Sequence, residues 1–312
     1  MARKVLFDCD PGVDDSVAIL FGLRSPELEF VGFTTVFGNT EVEHTAQNAL
    51  RLIELAGKPE IPVAQGASAS FSPFKKPFFG WEVHGKDGLG NTFPPAPKGK
   101  LQPVHAAQMI VDTIMANPGE ITLAAVGPLT NLALALKLEP RIVQAVKEVV
   151  IMGGAAFVTG NVSAVAEANI SNDPVAANMV FRAGWPLTMV GLDVTKKTRM
   201  TKAWLDGIFA TGTPVTDFLS RILPCYQNFH DQIYHMNGDT HTHDPSAVGF
   251  MVNPGWFTTR RVPVYVETEG HCAGFTVPDV NHQWPDSVEI DVCVDVDSDA
   301  LLAAMRERLT QK

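Results

Sequence analysis

The first two-thirds of the chain alternates short apolar runs with stretches of helical periodicity, and this alternation limits the possible folds more than any other feature. Apolar runs of about four to eight residues are typical of buried strands, whereas apolar residues repeating every three to four positions indicate helices. The predicted strands lie at 5–7, 29–36, 61–66, 121–126, 148–154 and 187–193. The predicted helices lie at 16–24, 42–57, 104–117, 129–138 and 174–184. This rhythm predicts right-handed βαβ units, and hence an α/β fold with an open, mostly parallel, Rossmann-like sheet and helices on both faces.

The whole chain, residues 1–312, is predicted to form a single domain. Its length suits one large α/β domain, and 46% hydrophobic against 19% charged residues can supply a sizeable core. Residues 66–102 interrupt the rhythm and are rich in Gly, Pro and aromatic residues, a composition and length typical of a functional or disordered loop. The last third is predicted to contain a helical stretch at 213–235 interrupted at Pro224, two half-exposed strands of alternating pattern at 260–270 and 287–297, and a helix from about 298.

Net charge and cysteine placement argue against several classes of protein. The formal net charge of −10 argues against nucleic acid as a partner, because such binding needs clustered Lys and Arg. No apolar run has signal-peptide character or approaches the roughly 20 residues of a membrane span, so no membrane partner is expected. Isolated thiols without a CxxC pair predict a reducing, cytoplasmic location and argue against zinc, and these thiols are Cys9, Cys225, Cys272 and Cys293.

The segment VLFDCDPGVDD, residues 5–15, brings four carboxylates to the end of the first predicted strand. They belong to Asp8, Asp10, Asp14 and Asp15. Like charges this close repel one another, and each raises the pKa of its neighbours unless a cation neutralises them. The segment therefore predicts a bound positive charge.

Further polar residues follow other predicted strands at the edge where an open parallel sheet binds its ligands. Asn39 follows the second strand, GPLTN follows the strand at 121–126, and MGG ends the strand at 148–154. Downstream segments add Asn161, Glu167, Asn169, Asp173, His243 and Asp244. Oxygen ligands of this kind suit a hard cation, Ca²⁺ or Mg²⁺, and neutral Asn side chains with one Glu suit a polyhydroxyl substrate such as a sugar.

Short motifs spread over most of the chain resemble the signature of the inosine-uridine-preferring nucleoside hydrolases. They are DCDPGVDD (8–15), GN (38–39), HG (84–85), GPLTN (127–131), MGG (152–154), EANISNDP (167–174) and HDP (243–245). The resemblance implies a single α/β domain, a tightly bound Ca²⁺ and hydrolysis of the N-glycosidic bond of ribonucleosides to ribose and free base. It further implies a homodimer or homotetramer that accepts pyrimidine nucleosides and, in some members, purine nucleosides.

Matched position by position, the resemblance implies a role for individual residues. The calcium ligands are the carboxylates of Asp10, Asp15 and Asp244 and the backbone carbonyl of Val126. Asp10 also accepts the proton of the calcium-bound water, and His243 assists the leaving base. The expected substrate contacts are Asp14, Asn39, Glu167 and Asn169 on the ribose, Met152 near its ring, Asn161 toward the 5′-hydroxyl, His84 on the base or 5′ side, and Tyr234 or His230 on the base.

The chemistry of the reaction is consistent with those roles. Cleavage of a ribosyl C–N bond develops oxocarbenium character on the sugar, which neighbouring carboxylates and carbonyls stabilise. The departing base needs a proton or a hydrogen bond, which a histidine can supply. Loops 74–91 and 226–242 contain Gly, Asn and Asp and are expected to close over the base.

Two other functions compete with hydrolysis of nucleosides. A haloacid-dehalogenase-type, Mg²⁺-dependent phosphohydrolase would use Asp8 and Asp10 as a DxD motif, with a second motif at Gly238, Asp239 and Asp244. That reading leaves EANISNDP unexplained. A nucleoside- or ribose-binding protein without catalysis would also fit the polar loops.

Several of these residues also have a purely structural interpretation. Asp15 can cap the helix at 16–24, and the Asn residues are common in turns. The aromatic residues Phe78, Phe79 and Trp81 fit a base-stacking lid and a local core equally well. The HxH pair of His241 and His243 suggests zinc, yet no third His or Cys lies at metal-binding spacing in the sequence.

Overall fold

The computed structural model describes residues 2–71, 78–285 and 288–311. Within these ranges the strands are β1 (Arg3–Cys9), β2 (Leu28–Thr35), β3 (Val63–Gln65), β4 (Ile121–Ala125), β5 (Glu148–Met152), β6 (Leu187–Val190), β7 (Arg199–Met200), β8 (Thr240–His241), β9 (Phe257–Val266), β10 (Thr276–Pro278) and β11 (Glu289–Val296). The helices are α1 (Val13–Leu23), α2 (Val42–Leu55), α3 (Trp81–His84), α4 (Ala106–Ala116), α5 (Thr130–Leu138), α6 (Ile142–Ala145), α7 (Ala168–Asn172), α8 (Pro174–Phe181), α9 (Leu192–Thr195), α10 (Lys202–Phe209), α11 (Pro214–Tyr234), α12 (Asp244–Val252) and α13 (Ser298–Leu309).

A nine-stranded sheet of the described residues runs in the order β10-β9-β11-β6-β5-β4-β1-β2-β3. The neighbours from β11 to β3 pair in parallel, and only β9 and β10 add antiparallel pairings at one edge. The order 3-2-1-4-5-6 is that of a doubly wound α/β fold. The predicted fold class, a mostly parallel sheet in an α/β protein, is therefore confirmed.

Strand β1 shows how the sheet separates two cores. Its side chains alternate between the faces, so that Val5, Phe7 and Cys9 pack in a core with α1, α2, α11, α12 and α13. Leu6 points the other way, into a core that includes α4, α5 and α8. Full burial of each such large apolar side chain contributes about 1.5–3 kcal/mol, so both faces hold the strand in one register.

The structure differs from the predictions mainly in the last third of the chain. Helix α11 continues through Pro224, whereas an interruption was expected there. Proline removes one helical N–H, but Ile222 and Leu223 before this position and Tyr226 after it are buried and hold the helix against the core. The alternation of exposed and buried residues predicted for the strand at 260–270 is wrong as well. In β9, residues 258–261 are all exposed.

The predicted mobile loops are also smaller than expected. Residues 226–234 belong to α11, so only the remainder of the segment 226–242 connects helix to strand. In the other loop, positions 74–77 lie outside the described residues, and 81–84 form α3. Across the described ranges, no helix combines the length and apolar character needed to cross a membrane.

Candidate active site

The cavity lies where the chain reverses its direction of travel across the sheet. Strands β1 and β4 are neighbours there, and the Val126 amide donates to the Asp8 carbonyl over 2.9 Å. Ligands of doubly wound folds bind at such a switch point. About 750 Å³ of space there, including open solvent, lies free of protein atoms. The predicted site residues lining it are Asp10, Asp14, Asn39, His84, Val126, Met152, Asn161, Glu167, Asn169, Tyr234, His243 and Asp244.

Asp15 is the predicted site residue that lies beneath the cavity instead of lining it. Its carboxylate accepts hydrogen bonds from the backbone amides of Asp10 and Gly12, at 3.3 and 2.9 Å, and from the Asn39 side chain at 2.8 Å. It occupies the third position of α1 and accepts from the amide of Gly12, the N-cap residue of this helix. The capping role considered from the sequence is therefore present, and it aims the carboxylate toward the other acids of the site.

We call Asp10, Asp14, Asp15 and Asp244 the carboxylate cluster. Carboxylate oxygens of Asp14, Asp15 and Asp244 lie within 4.8 Å of one another. The Asp10 carboxylate accepts from the Asn39 amide at 2.8 Å through Oδ2. Its other oxygen, Oδ1, is buried without a partner among the described residues, and so is Oδ1 of Asp14.

Glycines let the backbone approach the Asp10 carboxylate closely. A Cβ at Gly127 would lie 2.7 Å from Oδ1, and one at Gly38 would collide with Oδ2. Gly12 is equally restricted, because a Cβ there would lie 2.6 Å from the Asn39 side-chain nitrogen and 2.7 Å from Nδ1 of His84. The sequence requires glycine at these points so that oxygens, and not methyl groups, surround the cluster.

The electrostatics of the carboxylate cluster favour a bound cation. Burial, followed by the charges of neighbouring acids, raises the pKa of Asp10 and Asp244 well above their ordinary range. Burial likewise raises the pKa of Asp14 to about 6 and that of Asp15 to about 7. A cation would favour the ionised forms and use the orphaned oxygens. The donor set consists of oxygens, so the cluster can hold a metal ion and suits a hard divalent cation.

The side chains predicted to bind ribose also hold one another in place. Glu167 caps α7, accepting from the amides of Asn169 and Ile170 at 3.0 and 3.2 Å and from that of Gly154 at 3.0 Å. The Asn169 side chain donates to the carbonyls of Val126 and Met152, at 2.8 and 3.1 Å. These bonds connect the ends of β4 and β5 to α7. They fix the polar rim of the cavity before any substrate is bound.

Asn161 and Asn39 have backbone partners as well. Oδ1 of Asn161 accepts from the Ala168 amide at 3.0 Å. The Asn39 side chain donates to the Asp10 carbonyl at 3.1 Å in addition to Asp15. The turn-forming role considered for these residues is thus combined with a position on the cavity wall.

The opposite wall carries imidazoles and phenols. His243 contacts the Thr195 hydroxyl through Nδ1 at 2.8 Å, and burial lowers the pKa of its ring well below the ordinary value. His84 accepts from the Val13 amide through Nδ1 at 3.1 Å, and burial lowers its pKa to about 3. Both rings are therefore neutral near pH 7. In this state His84 carries its proton on Nε2.

Sequence reasoning missed two contributors to this wall. Tyr226 is fully buried and donates its hydroxyl to Oδ2 of Asp14 at 3.3 Å. Thr195 holds His243 from the end of α9. A signal existed for the first, because Tyr226, His230 and Tyr234 repeat every four residues and line one face of α11 toward the cavity. For Thr195, 48 residues from His243, the sequence offered none.

Asp8, the nucleophile required by the phosphohydrolase alternative, does not reach the cavity. Its side chain is fully buried and accepts from Thr34 at 2.6 Å and from Asn131 at 2.8 Å. Burial raises its pKa to about 7. Asp239 of the second motif accepts from the Lys202 amide at 2.9 Å and does not line the cavity.

The aromatic residues near 80 divide between the two roles considered for them. Phe78 lines the cavity and is 60% exposed. Phe79 stacks on Trp81 with ring centroids 5.1 Å apart, which makes this pair a local packing unit.

Comparison with known proteins gives one consistent result. A family model described as inosine-uridine preferring nucleoside hydrolase matches residues 5–303. The chain is 42% identical over 309 residues to the inosine-uridine preferring nucleoside hydrolase of Leishmania major, covering 96% of this chain and 95% of that protein. It is 40% identical over 315 residues to a probable uridine nucleosidase 1 of Oryza sativa subsp. japonica, covering 98% and 96%. A solved plant nucleoside hydrolase is 35% identical, with a TM-score of 0.96 and 100% of both chains covered.

Proposed function

Since this chain belongs to the inosine-uridine preferring nucleoside hydrolase family and hydrolyses the N-glycosidic bond of ribonucleosides, we propose that it does so with Ca²⁺ held by the carboxylate cluster. Two observations carry the proposal. The carboxylates of Asp14, Asp15 and Asp244 have oxygens within 4.8 Å of one another, and Oδ1 of Asp10 is buried without a partner among the described residues. Asp10, Asp15, Asp244 and the Val126 carbonyl would hold the ion. When bound, Ca²⁺ orients water and the ribose diol by oxygen coordination and lowers the pKa of that water.

Asp10 is the residue that accepts the proton of the attacking water. Its Oδ2 is held by the Asn39 amide, whereas Oδ1 is free of any partner among the described residues. A carboxylate fixed on one oxygen and open on the other is oriented for proton transfer without rearrangement. Asp14, Glu167 and Asn169 bind the ribose hydroxyls from the surrounding wall, and their negative charge and oxygen atoms stabilise the oxocarbenium character of the transition state.

His243 donates to the departing base from the opposite wall. Where the Thr195 hydroxyl donates to Nδ1, a neutral His243 carries its proton on Nε2. The ring then assists the leaving group through a hydrogen bond, and no imidazolium is required beforehand. His84 and Tyr234 frame the base on either side of this position. We propose pyrimidine ribonucleosides, uridine first, as the preferred substrates, with inosine accepted, in keeping with the names of the similar proteins.

A substrate and metal screen tests this assignment. Uridine, inosine, 2′-deoxyuridine and p-nitrophenyl phosphate are assayed before and after removal of metal with a strong chelator, and again after Ca²⁺ is restored. We expect ribonucleoside hydrolysis that depends on Ca²⁺, and 2′-deoxyuridine turnover lowered about 10- to 100-fold, because polar groups of the ribose site lose a partner. Equal turnover of uridine and 2′-deoxyuridine would contradict the ribose assignment, and activity that survives chelation would contradict the calcium assignment.

A further inference from the structure

Three histidines from separate parts of the chain meet beside the cavity. His230 lies on α11, His241 ends β8, and His243 precedes α12. One nitrogen of each ring lies within 4.8 Å of those of the other two. The ring centroids of His230 and His241 are 5.1 Å apart, and those of His241 and His243 are 5.6 Å apart. We call these residues the imidazole triad.

The hydrogen bonds of the triad leave lone pairs available to a ligand. Nδ1 of His230 contacts the Tyr226 carbonyl at 2.9 Å, and since a carbonyl only accepts, Nδ1 carries the proton. Nε2 of His230 then has a free lone pair. This nitrogen is buried without a partner among the described residues, and the residue is 1% exposed. Nδ1 of His241 is likewise buried and unpartnered in that part of the chain, and it offers a lone pair when the ring carries its proton on Nε2. An acceptor left unpaired in the interior destabilises the folded state, so this arrangement needs an explanation.

His243 completes the set because its partner is a hydroxyl. Thr195 can accept from Nδ1 as readily as it can donate to it. In the first arrangement Nδ1 carries the proton, and Nε2 of this cavity-lining residue has a free lone pair. The ring that donates to a leaving base in one tautomer is therefore a metal ligand in the other.

We propose that the imidazole triad is a second metal site, which takes a borderline divalent transition metal such as Zn²⁺ and is distinct from the carboxylate cluster. Zinc–imidazole bonds of about 2.0–2.1 Å in tetrahedral geometry place the nitrogens about 3.3 Å apart, so modest rotation of the three rings closes the site. Imidazole nitrogens favour Zn²⁺, Cu²⁺ and Co²⁺ over Ca²⁺, whereas the carboxylate cluster has the opposite preference. The fourth position opens to the cavity and is left to water.

Occupation of this site inhibits the hydrolase. The metal takes the Nε2 lone pair of His243 and removes the donor that assists the leaving base. It also stands in the part of the cavity framed by His230 and Tyr234, where the base must lie. Hydrolysis of uridine should therefore fall as Zn²⁺ binds, even when Ca²⁺ is present in excess.

Binding of Co²⁺, followed in visible light, tests the site without reference to activity. Co²⁺ is added to the protein in excess Ca²⁺, and Zn²⁺ is then used to displace it. We expect the intense visible absorption of four-coordinate Co²⁺ with nitrogen ligands, and its loss at one equivalent of Zn²⁺. His241→Gln and His230→Gln should each weaken Co²⁺ binding at least about tenfold, because each removes a direct ligand. His271→Gln, at an exposed histidine, is the matched control and should bind Co²⁺ as the unaltered protein does.

The same variants separate this site from the carboxylate cluster. Inhibition of uridine hydrolysis by Zn²⁺ should weaken in parallel with Co²⁺ binding in His241→Gln, while circular dichroism verifies that the variant is folded. Absence of the four-coordinate absorption would overturn the proposal. Equal Zn²⁺ inhibition of His241→Gln and the control would also overturn it, since the ion would then be acting at the carboxylate cluster. The Co²⁺ result stands or falls independently of which nucleoside is hydrolysed.

Discussion

The carboxylate cluster and the imidazole triad face the same cavity but are built in different ways. Asp15 is held by the backbone amides of Asp10 and Gly12 in the turn after β1, whereas the Asp10 carboxylate accepts from the Asn39 amide, which follows β2. The triad draws on α11, β8 and the segment before α12. His230 contacts the Tyr226 carbonyl one turn earlier in α11, and His243 contacts the Thr195 hydroxyl 48 residues away. Three acids of the carboxylate cluster thus come from one short segment and only Asp244 comes from a distant element, whereas all three members of the imidazole triad come from separate elements.

The largest expected effect breaks the carboxylate side alone. Asp10→Asn should lower kcat for uridine roughly 10⁴-fold, because it removes the proposed proton acceptor and metal ligand while keeping the shape of the side chain. The matched control is Asp8→Asn, two residues away and outside the cavity, which should retain most of the activity. Steady-state kinetics with circular dichroism on both variants provide the measurement. Loss of activity in Asp8→Asn with a preserved fold would argue for chemistry at Asp8.

A smaller effect should come from the imidazole side and should depend on the leaving group. His243→Ala is expected to slow uridine roughly 10²- to 10³-fold, because the base then departs without its hydrogen bond. p-Nitrophenyl riboside, whose leaving group needs no proton, should be hydrolysed at nearly the original rate. If both substrates slow equally, the histidine positions the sugar or Asp244, and the two walls would not have separate tasks.

The carboxylate cluster should also make the stability of the protein depend on pH and on Ca²⁺. In metal-free protein the pKa of Asp14 is raised to about 6 and that of Asp15 to about 7, against an ordinary 3.8. At these two groups the folded state binds protons more tightly than the unfolded state, so their contribution to the free energy of unfolding is fully present below about pH 4 and is lost as pH rises through 6 to 7. Ca²⁺ favours the ionised acids, so the gain in Tm on adding Ca²⁺ should be larger at about pH 8 than at about pH 5. Thermal melts with chelator and with Ca²⁺ measure this gain in Tm. An equal gain in Tm at both pH values would argue that the ion binds away from the carboxylate cluster.

The smallest effect should come from the hydrogen bond that joins the two walls. Tyr226→Phe removes the donor to Asp14, and a bond of this kind contributes about 0.5–1.5 kcal/mol, which corresponds to a rise in KM for uridine of roughly 2- to 10-fold. Tyr265→Phe, at a half-buried tyrosine on β9 that packs against Trp284, is the matched control. An unchanged KM in Tyr226→Phe would show that Asp14 is positioned without help from α11.

The sequence predicted what depends on local order and missed what depends on packing. Asp10, Asp14 and Asp15 could be predicted as site residues because they follow β1 directly, at the edge where parallel sheets bind ligands. Thr195 could not, because its contact with His243 spans 48 residues and threonine is common everywhere. The sequence argues against zinc because no third His or Cys lies at metal-binding spacing from His241 and His243. The fold nevertheless brings His230 of α11 beside these two residues.

Helix α11 illustrates the same limit. Proline is a local signal for the end of a helix, and an interruption at Pro224 was the reasonable expectation. Burial of the apolar face overrides that signal, which extends the helix to Tyr234 and carries Tyr226 and His230 toward the cavity. Tertiary packing therefore converts residues expected in a loop into a rigid wall of the site.

The alternation of side chains along β1 constrains insertions and deletions within this strand among related proteins. Cys9 enters one core, Asp8 bonds to Thr34 and Asn131 on the other face, and Asp10 emerges into the cavity. Loss or gain of a single residue within the strand would exchange these surroundings and bury Asp10 against apolar side chains. A point substitution changes one side chain, but an insertion or deletion in β1 changes the surroundings of several side chains at once. We therefore expect insertions and deletions to collect in surface connections such as residues 92–103, and β1 to keep its length wherever hydrolysis is retained.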